Sequence, residues 1–157
     1  MPEMSAPDQQ IPKSMGDYLE VMSKSVFQSG VSWKVVESKW LITQEAFRGF
    51  DPQAIAGFSK RDLDELTKDT RIIRNRRKIE AIVGNAVKML ELEKRHGSFR
   101  GYLRSHGGFE ETVNDLRKQF RFLSDMGAFQ FLYVVNEEVP SYEEWCASRG
   151  VTPQHMA

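Results

Sequence analysis

From Asn75 to Gly97 the apolar residues Ile79, Ile82, Val83, Ala86, Met89 and Leu90 recur at the helical period of about 3.6 residues. Asn75 is a residue type that caps helix starts, and His96-Gly97 is a stop. A long helix with one apolar stripe needs partners to cover it, so the rest of the chain has to supply them. The same period recurs upstream. Tyr18, Val21, Met22, Val26 and Phe27 predict a helix from Asp17, with Gly30 placed as its left-handed cap. Ser32 reads as the N-cap of a second helix, with Val31 and Val36 as a hydrophobic staple and Trp33, Val36 and Trp40 along one face. Asp51-Pro52 puts a cap before a proline at the first helical position, opening a short helix through Ile55. Ser59 and Asp62 have capping-box spacing, Leu63 and Leu66 follow on one face, and this helix should end near Asp69.

Downstream, a short helix is expected over Phe99 to Leu103, then a break at Gly107-Gly108, then a helix from Phe109 to Leu123. Phe129 to Val135 suits a buried strand as well as a helix. No second strand is available to pair with it, so helix is the expectation. Ser141 to Glu144 is a capping box that opens a last helix, ended by Gly150. The expected fold is all-α. At 157 residues the chain can bury one full core and not two ordinary ones, so a single compact domain is expected over 14–150. Tails are expected over 1–13, where Pro2, Pro7 and Pro12 interrupt a polar stretch, and over 151–157.

Lys and Arg number 22 and Asp and Glu 22, so no overall field draws the chain to an anionic polymer or membrane. Nucleic-acid binding would have to come from a local patch. Cys146 is the only cysteine, which excludes an internal disulfide and fits a reducing compartment. Met1-Pro2-Glu3-Met4 lacks the basic, apolar-cored pattern of a signal peptide, so none is expected, and the longest apolar stretch, Phe131 to Val135, is far short of a membrane span. A cytoplasmic monomer with no membrane partner is expected.

One patch stands out. Only about five residues separate the helix ending near Asp69 from the one starting near Asn75, which forces a tight helical hairpin. Around it lie Arg71, Arg74, Arg76, Arg77 and Lys78. Free amides at the helix start, the helix dipole and these side chains together suit a phosphate oxygen. The alternative is a solvated face whose cations pair with Asp62, Asp64, Glu65, Asp69 and Glu80. Trp33 likewise has two readings, a core side chain or a plate on which a base stacks.

The segments Gln28 to Trp33, Phe47 to Pro52, Ile72 to Ile79, Gly84-Asn85-Ala86 and Gly97-Ser98-Phe99 resemble, in order and spacing, the DNA-3-methyladenine glycosylase I family. The resemblance runs from about Leu19 to Leu103. It implies a helix-hairpin-helix DNA glycosylase, which flips a damaged base from duplex DNA and cleaves its N-glycosidic bond. It places the family's stacking tryptophan on Trp33, with Gln28 and Ser25 in the base-binding segment. Arg71, Arg74, Asn75, Arg76, Arg77 and Lys78 fall in the DNA-binding hairpin. The family's pocket glutamate, three residues before the glutamine, is here Ser25, so no catalytic residue is assigned.

Glu20, Tyr18 and Gln28 are candidates to replace that carboxylate, each with a core or surface reading beside it. Lys78 is conceivable as an amine nucleophile and is better read as a phosphate contact. The family's N-terminal pocket tyrosine, cysteine and histidine have no counterpart between Met1 and Asp17. Its zinc-binding His and Cys one turn apart fall on Tyr142 and Cys146, so no metal and no cofactor is expected, and Cys146 reads as a small buried hydrophobe. Two other functions stay open. One is a non-catalytic DNA-binding module with a degenerate pocket, the other a protein-interaction domain using the 1–13 tail or the acidic 137–144 region.

Overall fold

A computed structural model describes residues 8–150, and every regular element in it is helical. The helices are α1 (Met15–Gln28), α2 (Trp33–Ser38), α3 (Trp40–Ala46), α4 (Pro52–Ala56), α5 (Lys60–Lys68), α6 (Arg76–His96), α7 (Phe99–Leu103), α8 (Phe109–Gln119), α9 (Asp125–Val134) and α10 (Tyr142–Ser148). The long helix α6 is the hub, packed against α1, α4, α5 and α7. It buries Ile79, Ile82, Ala86 and Met89 of the predicted stripe together with Ala81 and Leu92, while Val83 and Leu90 are half-buried. The expected caps are present: Asn75 accepts from the Lys78 amide, Ser32 from Val35, Asp51 from Gln53, and Ser59 and Asp62 close a reciprocal box. Gly97 ends α6 at φ 85°, and Gly30 follows α1 at φ 75°, both in the left-handed region that favours glycine.

Trp33, Val36 and Trp40 do not share one helix. The chain breaks at Lys39, and α3 begins at Trp40. A short 3-10 turn, Arg48–Phe50, then carries left-handed φ at all three residues and folds Phe50 back into the core. There Phe50 stacks on Phe47 and on Trp40, each at 5.3 Å between ring centroids.

Two further expectations are corrected. The helix from Phe109 stops at Gln119, not Leu123, because buried Asn85 captures the next segment: it accepts from the Arg121 amide at 2.8 Å and donates to the Arg121 carbonyl at 3.2 Å. Phe122 turns left-handed at φ 58°, and Ser124 caps α9. The 129–135 run is indeed helical, lying in α9 through Val134 with Val135 as its C-cap. It gave no amphipathic signal because Ala128 through Leu132 are all buried, and a helix covered all round loses its periodicity. The expected tail over 1–13 is docked from residue 8 onward. Gln10 donates its amide to the Val134 carbonyl at 2.7 Å and Gln9 its side-chain amide to Tyr133, satisfying carbonyls at the end of α9, and Pro12 is buried. Residues 1–7 and the tail over 151–157 lie outside the described residues. Among the described residues no helix is long and apolar enough to cross a membrane.

A polar cluster locks α7 to α8. The buried Tyr102 hydroxyl donates to Asp115 at 2.6 Å, and His106 Nε2 approaches the same carboxylate oxygen at 3.1 Å. Burial alone would raise the Asp115 carboxyl, but bonds from Tyr102, His106 and Gln119 hold it below its ordinary value. A lowered folded-state value means the stabilisation is fully present above the unfolded carboxylate range and is lost as pH falls from there through the lowered folded value. Asp115→Asn is expected to cost about 2 kcal/mol at neutral pH, the scale of a hydrogen bond to a charged group. Thermal melts from pH 7 to pH 3 check this: the gap between wild type and variant should narrow on acidification.

Candidate base pocket and nucleic-acid interface

A cavity of about 430 Å³ opens between helices α1 and α2. Glu20, Lys24 and Ser25 of α1 form one wall and Trp33 and Glu37 of α2 another, with Gln9 and Gln10 of the docked N-terminal segment beside them. The spacing explains the grouping. Glu20, Lys24 and Ser25 lie one turn apart on the face of α1 opposite Leu19, Met22 and Val26, while Trp33 and Glu37 are one turn apart on α2. Trp33 is half-buried, whereas Val36 and Trp40 behind it are buried. The structure therefore brings together Trp33, Ser25 and Glu20 of the residues singled out in the sequence.

Gln28 is elsewhere. It lines an adjoining groove of about 530 Å³ that shares Ser25 and is walled by Ser29, Phe120 and Phe122. Tyr18 is in the core, its ring 5.1 Å from that of Phe99, so it is no candidate for the pocket.

Glu20 is held in place. Its Oε2 accepts from Trp40 Nε1 at 2.7 Å and from Gln44 Nε2 at 2.5 Å. Lys24 lies 3.3 Å from Glu37, with its Nζ 5.6 Å from the Trp33 ring centroid and 5.2 Å from that of Trp40. Sequence reasoning missed Lys24 and Glu37, since singly each looks like an ordinary solvated charge.

The hairpin is residues 69–75 between α5 and α6, anchored by buried Ile72. Its cations divide. Arg71 is forked onto Asp69, and Arg76 bridges Asp64 at 2.8 Å and Glu80 at 3.0 Å, as the solvated-face reading expected. These bonds raise both guanidinium values and lower those of Asp69 and Asp64. Asn75 spends its side-chain oxygen on the cap.

Lys78 is a correction. It is only 3% exposed, and its Nζ donates to the Phe27 carbonyl at 2.8 Å and to the Ser29 carbonyl. A cation here satisfies the carbonyls and dipole at the end of α1, so it faces neither phosphate nor substrate. Burial pushes its ammonium below the ordinary lysine value. Arg74 and Arg77 remain outward, Arg77 lying 5.9 Å from the ring of Phe122, itself 38% exposed. Cys146 is buried against Phe129 and Trp145, and among the described residues no group of three His, Cys, Asp or Glu side chains is placed to hold a metal ion.

A helical domain with a basic hairpin opening its central helix, bolted through Lys78 to the end of a helix that walls a tryptophan-sided cavity, has the architecture of a DNA glycosylase. Solved structures agree. 3-Methyladenine DNA glycosylase I from Staphylococcus aureus superposes with a TM-score of 0.69 at 25% identity, over 80% of this chain and 78% of that one. A variant of 3-methyladenine DNA glycosylase I in complex with 3-methyladenine superposes with a TM-score of 0.72 at 25% identity, over 85% and 82%. Residues 12–128 match the methyladenine glycosylase family, and the chain belongs to it. DNA-3-methyladenine glycosylase of Haemophilus influenzae is 38% identical over 89 residues, 57% of this chain and 48% of that protein. DNA-3-methyladenine glycosylase 1 of Escherichia coli is 37% identical over 86 residues, 55% and 46%. The chain thus spans about half the length of the curated relatives it matches.

Proposed function

We propose that this chain is a DNA N-glycosylase of base-excision repair, which receives an alkylated adenine from duplex DNA in the Trp33 cavity and hydrolyses its N-glycosidic bond. The observation that carries this reading is the convergence of Trp33, Ser25 and Glu20 on one cavity in a chain of this family. In the reaction the bond between the sugar C1′ and the base nitrogen breaks, the base leaves with the electron pair, and water supplies the oxygen that replaces it at C1′. An adenine methylated on a ring nitrogen carries a positive charge, so it leaves as a neutral molecule. The protein then has chiefly to extrude and orient the base. No cofactor is needed for that hydrolysis. Release of free 3-methyladenine from alkylated duplex DNA by the purified chain is the direct test.

Ser25 favours a second reading. A hydroxyl stands where the resemblance places a carboxylate, which suits a DNA-binding module without turnover. Binding to alkylated duplex without base release would select it.

Duplex binding falls in this reading to Arg74, Arg77 and the free amides of the first turn of α6. Phosphate contacts read charge and not sequence, so replacing both arginines by alanine should weaken binding to any duplex alike. The plot of log affinity against log salt should flatten by about one unit per arginine, measured by fluorescence anisotropy. An unchanged slope would remove these two side chains from the interface.

A further inference from the structure

We infer that Glu20 is the base-binding carboxylate of the cavity, its free oxygen accepting a hydrogen bond from the exocyclic amino group of an alkylated adenine stacked on Trp33. The inference rests on the base-pocket reading above and adds to it the residue that selects the base.

The geometry singles out Glu20 among the acidic residues of this cavity. Glu37 is spent on Lys24 at 3.3 Å, and its side chain is 49% exposed. Asp8 is exposed. Glu20 is half-buried in the cavity wall, and both of its bonds reach one oxygen, Oε2. Trp40 Nε1 can only donate, so Oε2 is pinned by two donors and Oε1 is left as an acceptor. An acceptor set in place beforehand, beside an aromatic plate, loses little conformational freedom when it binds a planar base. Ser25, on the same wall, offers only a short hydroxyl.

Glu20→Gln makes a sharp test, because the donors fixed on the wall dictate how the amide lies. Trp40 Nε1 demands the amide oxygen, so the NH2 group takes the place of Oε1 and the free acceptor becomes a donor. The fold keeps its bond to Trp40. The probes are two free bases, 3-methyladenine and 3-methylhypoxanthine, which differ in having an amino group or a carbonyl oxygen at the same ring carbon. Calorimetric titration of the full chain should show wild type preferring 3-methyladenine by about tenfold or more, the scale of a hydrogen bond to a charged group. Glu20→Gln should lose that preference or reverse it while its thermal transition stays in place.

A role for Glu20 in folding alone would not move the ratio between the two bases. If wild type binds both equally, or if Glu20→Gln keeps the wild-type preference, the assignment of Glu20 is overturned and the pocket reading stands. If wild type binds neither base, the pocket reading itself falls, and Glu20 with it.

Discussion

Replacing Lys78 with methionine is expected to cost about 3 kcal/mol of folding stability and to leave DNA affinity unchanged at temperatures where the variant is folded. The methionine fills a similar volume and carries no charge, so the effect isolates two carbonyls, Phe27 O and Ser29 O, that lose their shared donor. A buried polar group stripped of its partner costs roughly 1–3 kcal/mol, and here the Phe27 carbonyl is buried and the Ser29 carbonyl partly so. Relief from burying a cation offsets part of that sum. For a domain of this size the change corresponds to a fall of about 10 °C in Tm. Differential scanning calorimetry gives the stability and anisotropy the affinity. A variant that melts like wild type and binds duplex more weakly would return Lys78 to the phosphate interface.

Lys78 also shows where the sequence could and could not be read. Local chemistry was legible: Asn75, Ser59, Asp51, Ser32, Gly30 and Gly97 sit at helix boundaries for reasons contained within a few residues, and the structure puts the boundaries there. A basic run, by contrast, has no direction in one dimension. Arg71, Arg74, Arg76, Arg77 and Lys78 look alike in the sequence, yet helix periodicity turns Lys78 inward beside Ile79 and Arg77 outward, while Arg74 is exposed in the hairpin before the helix. The early stop of α8 was equally hidden, because its cause, the Asn85 side chain, lies 36 positions away. So was the end of the N-terminal tail, which is fixed by carbonyls of α9.

The cavity was half legible. Trp33 and Ser25 could be found from the resemblance, since that segment is continuous from Gln28 to Trp33 and position 25 is counted from it. Lys24 and Glu37 could not, because their pairing links two helices across the turn at Gly30. That pair bears on chemistry. It places a cation and an anion together at the edge of the cavity, so among the charges that α1 and α2 contribute to it Glu20 is the one not paired with an opposite charge.

Replacing Trp33 with alanine is expected to cost about 2 kcal/mol in affinity for duplex carrying an extruded alkylated base, close to thirtyfold, with little effect on undamaged duplex. The asymmetry follows from position. Trp33 is half-buried at the first position of α2, with Val36 and Trp40 forming the core behind it, so its ring is offered to the cavity more than to the fold. Ser32 keeps the helix capped whatever follows it. The ring also borders Lys24 at 5.6 Å, and that contact is lost in the variant, but Trp40 and Glu37 still hold the ammonium. Release of 3-methyladenine from alkylated duplex should fall with the affinity, because a base that does not stack does not stay extruded long enough for water to attack C1′. Equal weakening on damaged and undamaged duplex would make Trp33 part of the general DNA surface. A collapse of the thermal transition would make it a core residue, and either result would take the base-stacking plate away from this cavity.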